Sequence, residues 1–213
     1  MEEGWDEYDG GAVSRVQVLE EYCSDYGRLT LDGLQERIAG IPPDAVRGSD
    51  FLHDVCIDEK VTLEMIECLL DAFPDAARSI DSTAWSPLHY ACANKSMDPE
   101  IVRLLLERWP ESVDHQDNET GDLPLHNLCT AEDFDETSSL AILDLLVAAA
   151  PLSLTRANAE GRLYPSIVQA RVADPIHSAR GSLTPAQNLC GWFVTQCCQY
   201  TVHAIMGETT LRL

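Results

Sequence analysis

The chain has 213 residues, of which 36 are Asp or Glu and 14 are Lys or Arg, so its formal net charge at pH 7 is −22. The length allows one domain or two small ones, and an apolar content of 45% predicts a globular chain. The acidity argues against binding to nucleic acid or to anionic lipid, because both need clustered Lys and Arg. The charge is uneven: residues 1–150 carry 33 acids and 9 bases, whereas residues 151–213 carry 3 acids and 5 bases.

The first thirteen residues are acidic and rich in glycine, and they predict a disordered tail. They lack the basic and apolar regions of a secretion signal, and no stretch of the chain has the length and hydropathy that predict a membrane span. We therefore expect an intracellular protein, cytoplasmic or nuclear, whose eight cysteines are reduced thiols.

Two sets of apolar residues at helical spacing predict two helices between residues 14 and 47. The first helix is expected to close at Gly27, and the second to end at Pro42. Their apolar faces hold Val16, Leu19, Cys23 and Tyr26, followed by Leu31, Leu34, Ile38 and Ile41. This pair predicts a degenerate repeat that caps the N-terminal end of the segments that follow.

Three later segments align on one another, with their histidines 36 and 37 residues apart. They are Gly48-Ser-Asp-Phe-Leu-His-Asp-Val-Cys56, Ala84-Trp-Ser-Pro-Leu-His-Tyr-Ala-Cys92 and Gly121-Asp-Leu-Pro-Leu-His-Asn-Leu-Cys129. Each predicts a short first helix, a second helix that stops at a proline, and an extended connector with a hairpin tip. The second helices are predicted to begin at Thr62, Asp98 and Ser138–Ser139, and a degenerate fourth copy begins at Gly161.

The segments PLHYA and PLHNL resemble the T-P-L-H-x-A signature of the ankyrin repeat. The repeats are longer than usual and are similar to a PLHxAC type associated with unicellular algae and protists. The resemblance implies an all-α solenoid of stacked helix–loop–helix units with hairpin-tip connectors. Its repeats would be 48–83, 84–120 and 121–160, flanked by a capping repeat at 14–47 and by a degenerate repeat and apolar capping helix at 161–213.

The resemblance also implies that the repeated histidines and cysteines are structural. His53, His89 and His126 would fix the turn by hydrogen bonds, with Leu123 replacing the serine that bonds the histidine in the preceding copy. The cysteines Cys56, Cys92 and Cys129 are expected in the core. No phosphate loop, nucleophile elbow or metalloprotease motif occurs, so we expect no catalytic residue, no cofactor and no metal site.

A separate cluster lies near the C-terminus and contains Cys190, Cys197, Cys198 and His203. Their spacing along one predicted helix does not bring four zinc ligands together, so buried thiols are the favoured interpretation. Two chains meeting along this helix could assemble four ligands, which leaves a thiol- or metal-dependent redox protein as a remote alternative.

The candidate partner-binding residues lie on the first helices and on the hairpin tips. Trp85 follows the glycine position of the repeat, where it would either contact a partner or pack on a neighbouring repeat. The remaining candidates are Asp54, Tyr90, Asn94 and Asn127 on the first helices, and Asp81, Asp117, Glu119 and Asp122 at the tips.

The leading functional hypothesis is a non-enzymatic protein–protein interaction module, a scaffold or adaptor that binds a basic protein partner. The alternative is a structural subunit that docks into an assembly, or associates with itself, through the predicted apolar helix of residues 184–206. That helix carries Trp192, Phe193, Tyr200, Val202 and Ile205, and it could instead serve only to cap the solenoid.

Overall fold

The computed structural model describes residues 10–130 and 135–161. Within these ranges the chain forms eight α-helices and short 3-10 turns. The helices are α1 Gly10–Cys23, α2 Leu31–Ile38, α3 Phe51–Ile57, α4 Leu63–Ala72, α5 Pro87–Ala93, α6 Pro99–Arg108, α7 Pro124–Thr130 and α8 Glu136–Ala149. None of the described helices is long and apolar enough to cross a bilayer.

The helices stack in two rows. Helices α1, α3, α5 and α7 pack successively on one another in the first row, and α2, α4, α6 and α8 do so in the second. Each first-row helix also packs on the second-row helix that follows it in the chain. The predicted all-α stack of helix–loop–helix units is therefore confirmed over the described residues.

Proline sets the helix boundaries at both ends. Pro87 and Pro124 are the first residues of α5 and α7, as predicted, because the first turn of a helix does not use the missing N–H group. Helices α4, α6 and α8 each end two residues before a proline. The cap residues between helix and proline are Phe73, Trp109 and Ala150, which share a φ between −133° and −144° and a ψ between 74° and 82°. The connector was predicted to be extended from this point. Instead a 3-10 turn comes first, at Pro74–Arg78, Pro110–Asp114 and Pro151–Thr155.

The core lies between the two rows and runs through every described unit. Phe51 and Phe73 are fully buried and meet edge to face, with their ring centroids 5.6 Å apart. Cys56 and Cys92 are fully buried, which confirms their predicted core position, whereas Cys129 is half-buried. Burial raises the pKa of the Cys56 thiol to about 12, so this group stays protonated and unreactive.

The N-terminal unit differs from its prediction at two points. Helix α1 begins at Gly10, inside the segment predicted to be a disordered tail. The helix also ends at Cys23, earlier than predicted, and Gly27 lies in the following turn with a φ of 79°. Tyr26 therefore leaves the predicted apolar face and is 51% exposed.

The third unit also differs from its prediction at one boundary. Helix α8 begins at Glu136, about one turn earlier than the predicted start at Ser138–Ser139. The reason is the cap: the Asp135 carboxylate accepts a hydrogen bond of 2.8 Å from the backbone N–H of Ser138. The start of α4 after Thr62 and that of α6 after Asp98 agree with the prediction.

Several predictions fall on residues outside the described ranges. They are the degenerate fourth repeat beyond Gly161, the cluster of Cys190, Cys197, Cys198 and His203, and the apolar helix with Trp192, Phe193, Tyr200 and Ile205. Gly161 itself is described and has a φ of 72°, close to the values at the aligned Gly48 and Gly121.

Candidate partner-binding surface

The turn at the start of α5 shows how the repeated histidine is used. His89 is fully buried, and its Nδ1 atom accepts a hydrogen bond of 3.1 Å from the backbone N–H of Ser86. The proton of the neutral ring then lies on Nε2, which donates to the carbonyl oxygen of Asp122 in the next unit at 3.4 Å. Burial lowers the pKa of His89 to about 4, so the ring is neutral at physiological pH. The predicted structural role is confirmed for His89.

The two other repeated histidines use this arrangement to different extents. The Nδ1 atom of His126 accepts a 2.9 Å hydrogen bond from the backbone N–H of Leu123, so the turn forms without the serine hydroxyl. His53 is also buried, but neither ring nitrogen has a hydrogen-bond partner, and Nδ1 lies 3.4 Å from Oδ1 of Asp50. The predicted hydrogen bond is therefore present at His126 and absent at His53.

The half-buried Asp81 organises the first hairpin tip through its carboxylate. Oδ1 accepts hydrogen bonds from the backbone N–H groups of Thr83 and Trp85, each at 2.8 Å, and from the Thr83 hydroxyl. Oδ2 accepts a 2.6 Å hydrogen bond from the Tyr90 hydroxyl. Burial works against ionisation, but these hydrogen bonds outweigh it and lower the pKa of Asp81. Asp81 is thus ionised and internally bonded.

Asp117 has the same role in the second tip, which corrects its assignment as a partner contact. Its side chain is buried, and Oδ1 accepts hydrogen bonds from the backbone N–H groups of Glu119, Thr120 and Gly121. Oδ2 accepts from the Thr120 hydroxyl and from the backbone N–H of Asp122. With both oxygens saturated in the interior of the turn, this carboxylate holds the tip in place and is not available to a partner.

Adjacent hairpin tips are joined through their backbones. The N–H of Asn118 donates to the carbonyl of Thr83 at 3.0 Å, and the N–H of Ala159 donates to the carbonyl of Thr120 at 2.8 Å. Glu119 projects from this ladder as an exposed residue. Asp122 is half-buried, and its Oδ1 atom accepts a 2.9 Å hydrogen bond from Asn158. Of the predicted tip residues, Glu119 is the most accessible and Asp122 is partly so.

Asn94 and Asn127 were predicted to contact a partner, and the structure corrects both. Each is at least 93% buried, and each side chain bonds the backbone of the preceding unit. Nδ2 of Asn94 donates to the carbonyl oxygens of Cys56 and Asp58, both at 3.0 Å. Nδ2 of Asn127 lies 3.5 Å from the carbonyl oxygen of His89. These amides join neighbouring units, because the ends of short helices leave carbonyl groups that need donors.

Trp85 and Tyr90 form an aromatic pair that remains partly open to solvent. Their ring centroids are 4.9 Å apart with a tilt of 59°, and Trp85 also stacks on His89 at 5.8 Å. Both rings are half-buried. These two ring contacts lie within the unit of Trp85 itself, and part of its ring remains exposed.

The aromatic pair continues into an acidic site on the preceding unit. The ring of Tyr90 meets the buried His53 edge to face at 5.4 Å, one residue before Asp54. Asp54 accepts hydrogen bonds from the Ser24 hydroxyl at 2.6 Å and from the Tyr26 hydroxyl at 3.0 Å. We call the five residues of this surface the aromatic–acidic cluster: Tyr26, Asp54, Asp81, Trp85 and Tyr90.

Comparison with known proteins identifies the family. The family model for the ankyrin repeat matches residues 84–118, which run from the glycine position of the second aligned segment to the next hairpin tip. This is an ankyrin-repeat protein. A stretch of 58 residues is also 41% identical to part of the NAD-dependent deacetylase sir2B of Dictyostelium discoideum. That match covers 27% of this chain and 7% of the deacetylase, so the chain spans only a small part of its relative.

Ankyrin repeats are generally protein–protein interaction modules and are typically non-enzymatic. In this ankyrin-repeat protein the matched segment holds Trp85 and Tyr90 of the aromatic–acidic cluster, and Asp81 lies just before it. Among the described residues, no group of His, Cys, Asp or Glu side chains is arranged to hold a metal ion.

The ankyrin stack carries unbalanced negative charge at this cluster. Burial, the hydrogen bond to Asp81, and the charges of Asp81, Asp50 and Asp54 together raise the pKa of Tyr90. Within residues 10–130 and 135–161, neither Asp54 nor Asp81 forms an ion pair with a Lys or Arg side chain. Four residues of the cluster were predicted from the sequence, namely Asp54, Asp81, Trp85 and Tyr90. Tyr26 was not, because it was assigned to the apolar face of a helix.

Proposed function

We propose that this ankyrin stack is a non-enzymatic intracellular adaptor, cytoplasmic or nuclear, that binds a basic segment of a protein partner. The carrying observation is the aromatic–acidic cluster, where half-buried aromatic rings lie beside carboxylates that have no Lys or Arg counterion among the described residues. Aromatic side chains are enriched at interface positions that carry most of the binding energy.

The charge distribution supports a basic partner. Residues 1–150 have a net charge of −24, and the exposed Glu119 and half-buried Asp122 extend the acidic surface along the hairpin tips. A surface of one sign attracts a partner of the opposite sign and raises the association rate, and this effect weakens as salt screens the charges. Affinity would come mainly from the partly open rings of Trp85 and Tyr90.

The experiment measures binding of two fluorescent twelve-residue peptides. In the basic peptide, glycine alternates with a basic residue, either Arg or Lys. In the acidic peptide, Glu replaces every basic residue. Fluorescence anisotropy at about 50 mM and 300 mM NaCl gives affinity and its salt dependence. We expect the basic peptide alone to bind, and to bind several-fold more weakly at the higher salt concentration.

Two variants test the surface. Trp85→Ala should weaken binding about tenfold, which corresponds to about 1.4 kcal/mol. Glu119→Lys should weaken it through charge reversal at the tip, whereas Glu107→Lys makes the same charge change at an exposed position of α6 in the second row and should have little effect. Absence of binding at low salt, salt-independent binding, or equal effects of the two charge reversals would rule the proposal out.

A further inference from the structure

Resting on the proposed function, we infer that the aromatic–acidic cluster is a subsite for one arginine side chain of the partner. The guanidinium group would lie over the open part of the Trp85 and Tyr90 rings and donate hydrogen bonds to Asp54. The proposal names a side chain and a receiving carboxylate, whereas the proposed function requires only a basic segment.

Charge first favours a cationic occupant. The Tyr90 hydroxyl donates a 2.6 Å hydrogen bond to Asp81, and its ring meets His53, the residue next to Asp54, at 5.4 Å. Besides burial and that hydrogen bond, the charges of Asp81, Asp50 and Asp54 raise the pKa of Tyr90. Elsewhere in the described residues, arginine pairs with aspartate even at exposed sites, as in Arg47 with Asp44 and Arg108 with Asp71. The cluster has no such partner for Asp54 or Asp81, although it carries partly buried negative charge next to apolar rings.

The aromatic rings favour a guanidinium over an ammonium group. Guanidinium is planar and weakly hydrated, so it can stack on a ring and still donate hydrogen bonds in the plane of its nitrogens. The protein already contains one such contact: the guanidinium carbon of Arg37 lies 3.9 Å from the centroid of the Tyr22 ring. Trp85 and Tyr90 present a similar apolar surface that no arginine of the described residues covers.

The free acceptor capacity points to Asp54 as the receiving carboxylate. Oδ1 of Asp81 already accepts three hydrogen bonds, so it has little capacity for a fourth. Asp54 accepts one hydrogen bond on each oxygen, from Tyr26 and from Ser24, which leaves a lone pair on both atoms. Those two bonds hold the half-buried carboxylate in a fixed orientation, and a fixed carboxylate suits bidentate binding of arginine.

The test titrates the isotope-labelled full-length protein with blocked single amino acids and follows NMR signals. The probes are Nα-acetyl-arginine methylamide, the lysine analogue, and the citrulline analogue, which has nearly the shape of arginine but no charge. We expect arginine to shift the indole N–H signal of Trp85 and the ring signals of Tyr26 and Tyr90. We also expect its affinity to exceed that of lysine at least fivefold, and citrulline to cause no saturable shift.

Two variants locate the subsite. Asp54→Asn should abolish the preference for arginine over lysine, whereas Asp75→Asn removes the same charge at an exposed position of a 3-10 turn and should leave it intact. An unchanged Trp109 indole signal reports that the Asp54→Asn protein is folded. Equal affinities for arginine and lysine, saturable binding of citrulline, or an intact preference in Asp54→Asn would overturn the subsite.

The two proposals can fail separately. If the basic peptide binds with its expected salt dependence but arginine shows no preference at Trp85, the adaptor function stands and the subsite is wrong. If blocked arginine binds at the cluster while the basic peptide does not bind, the subsite stands and the adaptor function is wrong.

Discussion

The side chain of Asn94 reaches 38 residues back along the chain, and its Nδ2 atom lies 3.0 Å from the carbonyl oxygen of Cys56. Its Oδ1 atom meanwhile accepts a hydrogen bond from the backbone N–H of Ser96. Asp58 holds the equivalent position in the preceding unit, where it accepts hydrogen bonds from the backbone N–H groups of Lys60 and Gly27. One side-chain position therefore joins each of these units to the one before it.

We predict that Asn94→Ala lowers the free energy of unfolding by about 2–3 kcal/mol, because it removes the amide donor from the buried carbonyl oxygen of Cys56 near the end of α3 and one of two donors to the carbonyl oxygen of Asp58. Urea denaturation followed by circular dichroism measures the loss. The control is Lys95→Ala, which removes an exposed ion pair with Glu59 and should cost no more than about 0.5 kcal/mol. Similar losses in the two variants would contradict the role given to Asn94.

Asp117→Ala is expected to loosen the second hairpin tip, since its carboxylate accepts hydrogen bonds from four backbone N–H groups. The free energy of unfolding should fall by about 2–4 kcal/mol. Hydrogen exchange should accelerate at residues 119–122. Glu119→Ala, two residues away and exposed, should change stability by less than about 0.5 kcal/mol. If exchange at the tip stays slow in Asp117→Ala, the carboxylate does not hold the turn.

Ala84 stands at a glycine position of the repeat with a φ of 61°, where Gly48 and Gly121 have values of 80° and 66°. A left-handed conformation costs an alanine about 1–2 kcal/mol, and a glycine at this position removes that cost. The greater freedom of glycine in the unfolded chain lowers stability by about 0.4–1 kcal/mol and so offsets part of the effect. Ala84→Gly should therefore stabilise the protein by about 0.5–1 kcal/mol in thermal or urea denaturation.

The reverse changes at the other two glycines provide the comparison for Ala84. Gly48→Ala meets no atom within 4 Å of the new Cβ, so it should cost only the conformational strain. Gly121→Ala places Cβ 2.8 Å from the backbone nitrogen of Ala159 and should cost more. A destabilised Ala84→Gly protein, or a Gly48→Ala protein as stable as the parent, would refute the strain argument.

Stability should decrease as the pH falls from about 6.5 towards 4. Burial lowers the pKa of His89 to about 4 and also lowers the pKa of His126, whereas an exposed histidine has a pKa of about 6.5. Between pH 6.5 and 4 the unfolded chain binds protons that the folded chain does not. The free energy of unfolding is therefore highest above pH 6.5 and falls as the pH decreases through this window. Each histidine contributes a slope of up to about 1.4 kcal/mol per pH unit.

Urea denaturation at pH 7.5, 6.0 and 5.0 measures this slope. His89→Asn should reduce this slope by up to the contribution of one proton, about 1.4 kcal/mol per pH unit. The slope that remains is expected from His126. The carboxylates of Asp81 and Asp117 have lowered pKa values and affect stability only at still lower pH. An identical slope in the parent and in His89→Asn would show that His89 does not carry the effect.

The sequence was sufficient to predict the fold because the repeat supplies the same signal several times. Helix pairs are defined by the spacing of the histidines, by the prolines that open α5 and α7, and by the prolines that follow α4, α6 and α8. These pairs can bury their apolar faces only by stacking on one another. Boundaries without proline were less predictable. Asp135 and Ser138 are both suitable caps, and the structure uses Asp135. After the early end of α1, Tyr26 bonds Asp54, a residue 28 positions away that local sequence does not indicate.

The candidate site was only partly predictable for a physical reason. Sequence position identified candidate residues on the first helices and hairpin tips but not which of their polar atoms were already bonded. Polar residue types such as those of Asn94, Asn127 and Asp117 are common on binding surfaces. In this structure, however, each of these side chains is hydrogen-bonded to nearby backbone groups. Trp85 and Tyr90 are half-buried, so part of each ring remains open to solvent.

The backbone ladder between hairpin tips has a mechanical consequence. Peptide-to-peptide bonds, such as Asn118 to Thr83 and Ala159 to Thr120, fix the spacing of the units along one edge of the stack. The second-row helices are held mainly by side-chain packing, whose spacing follows side-chain volume. Larger or smaller residues in α4, α6 or α8 would therefore change the curvature of the solenoid while the tips stay in register. Under the proposed function, the size of partner that this surface accommodates is then set partly by residues that never touch the partner.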